Sequence, residues 1–100
     1  MRIIAKRALV DFWEKNPAYR DAKGQLEAWY VEVKSAAWRK PTDIKERYRN
    51  SSILKSGRAV FNICGNKYRL VVKINYPAQI VFIRFIGTHE EYDTINAEEI

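Results

Sequence analysis

Arg58-Ala-Val-Phe-Asn-Ile-Cys-Gly-Asn-Lys-Tyr-Arg-Leu-Val-Val-Lys-Ile-Asn75 decides the fold. Two β-rich runs flank Gly65-Asn66, a pair suited to a two-residue hairpin turn. With that turn, Phe61 faces Leu70, Ile63 faces Tyr68 and Ala59 faces Val72. These pairs make an apolar face. The opposite face pairs Asn62 with Arg69, Val60 with Val71 and Arg58 with Lys73.

The hairpin extends toward the C-terminus. Tyr76-Pro77-Ala78-Gln79 has the composition of a second turn, with Pro at its second position, and Gln79 to Ile86 reads as a third antiparallel strand. A turn at Pro77-Ala78 sets Leu70 against Phe85, Val72 against Ile83 and Ile74 against Val81. On the other side it sets Val71 against Arg84, Lys73 against Phe82 and Arg69 against Ile86. Both turns therefore predict one face bearing Arg58, Asn62, Arg69, Lys73 and Arg84. A one-residue slip would bury those charges, so the pattern itself specifies the faces. Gly87 then reads as a break. After it comes Thr88-His-Glu-Glu-Tyr-Asp93, which holds the only histidine of the chain. The same arithmetic sets Thr88 opposite Lys67 and brings His89 out near Arg69 and Arg84.

Toward the N-terminus the period changes. Met1 to Ile4 is a short candidate strand. Ala5, Ala8, Leu9, Phe12 and Trp13 share one face of a helix that stops near Asn16-Pro17. Asn caps helices well and Pro suits the first helical position, so a second helix is expected from Pro17 to about Arg39. Its stripe is Leu26, Trp29, Tyr30, Val33, Ala36 and Ala37, and Lys40-Pro41 ends it. The two form an antiparallel helical hairpin whose aromatics read as core. Thr42 to Asn50 holds one or two helical turns, with Asp43 and Glu46 at capping-box spacing. From there to Ser56-Gly57 the chain reads as an exposed, mobile linker. The fold class is thus α+β: a helical hairpin packed on an antiparallel sheet, with a short C-terminal helical segment, in one domain of 100 residues.

The charge is concentrated. Between residues 34 and 58 eight basic side chains stand against Asp43 and Glu46, which accounts for the whole formal charge of +6. A basic middle and a one-signed sheet face point to a phosphate-rich partner. Arginine's planar fork suits phosphate better than lysine's point charge. Cys64 is the only cysteine, so no internal disulfide forms and cysteine-rich zinc sites are excluded. This usage fits a reducing cytoplasm. No run reaches the ~20 apolar residues of a membrane span, and the N-terminus lacks a signal-peptide pattern. Glycine-rich phosphate loops and Ser-His-Asp patterns are likewise missing.

An RNA strand carries its own nucleophile, the 2′-hydroxyl. Cleavage needs proton transfer at that oxygen and at the leaving 5′-oxygen, and cations at the phosphate. Arg69 and Arg84 are candidates for the cations. His89 has a side chain that titrates near neutrality. Tyr92 lies three residues on, on the same side of a helical turn. Lys55, Arg58, Asn62, Lys67 and Lys73 are candidate RNA contacts. The residues alone equally allow a non-catalytic RNA- or ribosome-binding module, or a face that docks an acidic peptide.

Val60 to Val72 together with Val81-Phe-Ile-Arg-Phe-Ile-Gly-Thr-His-Glu-Glu-Tyr-Asp93 resembles the HigB family of type II toxin–antitoxin toxins, within the RelE-like group of messenger-RNA endonucleases. The start of the chain and its length match as well. The resemblance implies that the first strand joins the sheet. It further implies metal-independent cleavage of messenger RNA on the ribosome, and neutralisation by a HigA-type helix-turn-helix antitoxin. It places Arg69 and Arg84 at the scissile phosphate, and His89 and Tyr92 where relatives keep proton-transfer groups. No cofactor is implied. The acidic C-terminal end departs from the basic tails of some relatives, which leaves ribosome contact to the linker and the sheet.

Overall fold

The computed structural model describes all residues from Met1 to Ile100. The elements follow in the order β1 (Arg2–Ile4), α1 (Lys6–Lys15), a 3-10 turn (Pro17–Ala22), α2 (Lys23–Ser35), α3 (Pro41–Arg47), β2 (Ser52–Ile53), β3 (Arg58–Ile63), β4 (Tyr68–Asn75), β5 (Ile80–Thr88) and α4 (His89–Tyr92). The strands form one sheet in the order β1-β5-β4-β3-β2. The fold is α+β as expected, but the sheet is mixed rather than antiparallel. β1 runs parallel to β5, with Ile3 beside Val81.

The β3–β4 register is the one the sequence predicts, pair for pair from Arg58–Lys73 to Ile63–Tyr68. The connecting loop is Cys64 to Lys67, wider than the expected pair. Cys64 and Gly65 both adopt positive φ there. The second turn forms at Tyr76–Gln79, closed by Gln79 N–H donating to the Tyr76 carbonyl at 3.2 Å.

β4 and β5 start in the predicted register, from Asn75–Ile80 to Val72–Ile83. A β-bulge between Val71 and Val72 then shifts it. Val71 faces Phe85 instead of Arg84, Leu70 faces Ile86, and Tyr68 faces Thr88. Arg84 is the extra residue and has no partner across the ladder. Gly87 is no break, since β5 continues through it to Thr88.

The helices cover one face of the sheet. Leu9, Trp13, Leu26, Trp29, Val33, Trp38 and Ile44 meet Phe61, Leu70, Val72 and Val81 in a single core of 16 buried residues. The second helix differs from its sequence reading at both ends. Asn16 accepts from Ala18 N–H at 2.9 Å as a cap, but the chain first makes a 3-10 turn. That turn stacks Tyr19 on Phe12, with ring centroids 4.6 Å apart. α2 stops at Ser35, not Arg39. The Met1 nitrogen donates to the carbonyls of Lys34 (2.7 Å) and Ala36 (2.9 Å), meeting the acceptors that a helix end leaves open. The freed chain then turns Trp38 into the core.

The basic linker is pinned. At the start of α3, Asp43 accepts from the N–H of Arg39 (2.8 Å) and Lys40 (3.2 Å), so it caps as the third helical residue and not as the partner of Glu46. Ile44 and Ser51 are buried. Lys45 Nζ ties down the carbonyls of Arg49 and Ser51. Glu32 on α2 accepts from both Arg47 and Tyr48.

Candidate nucleic-acid interface and active site

The outer face of the sheet carries the predicted side chains, but it is not bare. Beyond α4 the chain folds back across it. Ala97 is buried on Val60 and Val71, with Leu54, Phe85, Tyr92 and Ile100 packed around them. Under this cover Arg58 is 8% exposed; Arg69, beside Asn66 and Tyr92, is 9% exposed. Arg58 Nε donates to the Ile100 carbonyl oxygen at 2.7 Å. Arg69 donates to Asn66 Oδ1 at 2.6 Å and to the Asn66 carbonyl at 3.1 Å. Its guanidinium lies 5.8 Å from the Tyr92 ring centroid. Neither arginine pairs with an Asp or Glu side chain. The expectation of a wholly open basic face is therefore corrected: Arg58 lies beneath the C-terminal segment, and Arg69 is buried beside Asn66 and Tyr92.

The remaining contacts divide by exposure. Arg84 is exposed at the bulge, its guanidinium 5.8 Å from the Phe82 ring. Lys55 and Asn62 are exposed and Lys73 is half-buried. Asn62 donates to the Asn50 carbonyl at 3.2 Å. Lys67 pairs with Asp21 at 2.5 Å on the helix side. Asp21 also accepts from Tyr68 Oη at 2.6 Å. The Lys67 and Tyr68 hydrogen bonds hold the Asp21 carboxyl below its ordinary range, and Asp21 raises Lys67 in return. Burial, then the same carboxylate, pushes the Tyr68 hydroxyl up.

α4 holds the proton-transfer candidates. Thr88 Oγ1 accepts from Glu91 N–H (3.1 Å) while the Glu91 carboxylate accepts from Thr88 N–H (2.8 Å), a reciprocal capping box. Gly87 makes room for this arrangement. A Cβ there would sit 2.5 Å from the Phe85 ring and 2.9 Å from Glu91 Oε1. His89 N–H donates to the Lys67 carbonyl at 3.1 Å, which ties α4 to the β3–β4 loop.

His89 and Tyr92 nevertheless line different cavities. His89 borders an open cleft of about 410 Å³ with Tyr19, Asn66, Lys67, Tyr68 and Thr88. Its Nε2 is 3.6 Å from Asp93 Oδ2, and its buried Nδ1 has no protein partner. Tyr92 instead turns onto the outer face, beside Arg69 and Leu54. The structure thus brings Arg69 and Tyr92 together and sets His89 around the sheet end. Arg84 lies four residues before Thr88 along β5, roughly 13 Å at ~3.3 Å per residue. Asn66 joins the two sides: it holds the Arg69 guanidinium and also lines the His89 cleft. Sequence reasoning assigned Asn66 only to a turn. Its position three residues before Arg69 was the available signal. No three His, Cys, Asp or Glu side chains cluster as a metal site.

The chain is similar to known proteins along nearly all of its length. A family model described as HigB_toxin, the RelE-like toxic component of a toxin–antitoxin system, matches residues 22–95. The mRNA interferase toxin HigB of Escherichia coli strain K12 is 31% identical over 99 residues, covering 97% of this chain and 92% of that protein. The mRNA interferase HigB of Shigella flexneri matches with the same identity and coverage. The chain belongs to the HigB toxin family, and so has the fold of the toxic half of a toxin–antitoxin pair. No helix is long and apolar enough to cross a membrane.

Proposed function

We propose that this toxin is an endoribonuclease that cuts messenger RNA on the ribosome and is held in check by a helix-turn-helix antitoxin of the HigA type. The observation that carries the reading is the meeting of Arg69, Tyr92 and the His89 cleft at one end of the sheet, joined through Asn66. In the reaction the 2′-oxygen attacks the adjacent phosphorus and the bond to the 5′-oxygen breaks. A base takes the 2′-hydroxyl proton and an acid protonates the leaving oxygen. The products are a 2′,3′-cyclic phosphate and a 5′-hydroxyl. No metal or cofactor is required for this step.

His89 and Tyr92 handle the protons. Arg69 stabilises charge on the phosphate beside Tyr92. Arg84, the exposed cation of the face, holds the RNA backbone further along β5. Lys55, Arg58, Asn62, Lys67 and Lys73 guide the strand. The names of the relatives and the family match support the activity. Inducing Arg84→Ala and His89→Ala beside the unaltered chain tests the roles. Growth arrest should be lost or strongly reduced in each. Full arrest by both, at equal protein level, refutes the assignment.

One observation favours a second reading. The two proton-transfer candidates, His89 and Tyr92, line different cavities. A non-catalytic ribosome-binding module of the same fold would stop translation without creating RNA ends. Mapping 5′ ends after induction separates the two.

A further inference from the structure

Arg58, on a face assigned to RNA, lies beneath the chain's own C-terminal segment. We infer that residues 93 to 100 form an intrasteric strap that closes this part of the outer face and must lift before RNA reaches Arg58. This rests on the RNA-cleaving reading and adds a regulation of the same site.

Three features carry it. The strap lies where a strand of RNA would lie. Ala97 seats on Val60 and Val71, and Ile100 accepts from the Arg58 guanidinium at 2.7 Å. Its acidic side chains Glu98 and Glu99 are exposed and pair with no arginine of the face, so the Ala97 seat and the Ile100 contact hold it rather than charge. Finally, its attachment is thin. The backbone bonds of Thr94, Ile95 and Glu99 go to residues three positions earlier, so the strap adds no strand to the sheet. Its buried anchor is a cluster of three residues, against 16 on the helix side. An element with few buried contacts opens at low free energy without global unfolding. Arg58 gains from its departure, because its guanidinium exchanges the Ile100 oxygen for phosphate oxygens.

The test uses an RNA oligonucleotide with every 2′-hydroxyl methylated, which binds but cannot be cut, with affinity measured across a salt series. Four proteins are compared: the full chain, a chain stopped after Asn96, Ala97→Asp, and the Glu98→Gln/Glu99→Gln double variant. Stopping after Asn96 and Ala97→Asp should each tighten binding about tenfold at low salt. They should also steepen the salt dependence by about 0.7, one phosphate on a single strand. Ala97→Asp adds a negative charge, so tighter binding there cannot come from charge removal. The Gln variant keeps both apolar anchors and should leave the slope unchanged.

An unchanged slope in the two releasing variants overturns the strap. So does a Gln variant that reproduces their effect, since charge alone would then explain it. Loss of the folded circular-dichroism signal in both releasing variants also overturns it, because the segment would be an integral part of the fold. If the full chain and all variants fail to bind RNA at low salt, the RNA reading falls and the strap with it. Binding by the full chain that release does not change refutes the strap alone.

Discussion

The two faces of one sheet are built to different standards. The helix side buries 16 side chains, among them three tryptophans, with aromatic contacts linking Trp29, Trp38 and Tyr48 to Phe61. The outer side buries Val60, Val71 and Ala97 and leaves Phe85 and Tyr92 half covered. One face makes the domain stable and the other can afford to open. The functional candidates lie on or beside the weaker face, as expected where a ligand must displace something.

The contrast is sharpest for a large truncation. Phe61→Ala on the helix side should lose roughly 3–5 kcal/mol in urea unfolding. The same change at Phe85 should lose roughly 1–2 kcal/mol, in line with its partial burial. Equal losses would show that the outer cluster is a second core. Gly87→Ala should cost roughly 1–3 kcal/mol, because the new methyl must push the Phe85 ring or Glu91 aside. It should also reduce RNA cleavage by shifting α4. A stable, fully active Gly87→Ala would mean that α4 need not stay where the capping box holds it.

Smaller effects come from charge. Tyr48, then Arg47, hold the Glu32 carboxyl below its ordinary value of 4.5. The unfolded chain therefore binds protons more readily at this site. The stabilisation is fully present above pH 4.5 and is lost as pH falls through the lowered folded value. Glu32→Gln should flatten this part of the acid limb while leaving RNA binding at neutral pH unchanged. A wild-type acid profile would show that the linker does not depend on the carboxylate. Arg84→Ala should change stability least, within about 0.5 kcal/mol, since the side chain is exposed. RNA binding should nonetheless weaken and its salt slope fall by about 0.7, as for loss of one phosphate contact on a single strand.

Local signals were enough to read β3, β4 and their register, because Arg69 and Lys73 alternate with residues that must be buried. The same logic failed in β5 for a physical reason. Val81, Phe82, Ile83, Phe85 and Ile86 are apolar on both faces, so alternation carries no register information past Ile83. A bulge at Arg84 costs little there. Its one hint was two phenylalanines, Phe82 and Phe85, three residues apart. The strap was illegible because an Ala, two Glu and an Ile have no local preference for the sheet. Only the distant Val60 and Val71 give them a place. Met1 and the α2 carbonyls are a similar case: two distant segments settled where α2 ends. Arg69 and Arg84 were correctly placed on the outer side, while the gathering of His89 with both arginines was not found.

The parallel pairing of β1 with β5 joins the start of the chain to one of its last strands. During synthesis Arg2 to Ile4 leaves the ribosome early and waits for Ile80 to Phe82. Such long-range closure comes late in folding. The sheet end that carries Thr88 and α4 also emerges after nearly all the rest. The sheet therefore gains its parallel edge strand only once Ile80 to Phe82 have been made, although Arg2 to Ile4 came first.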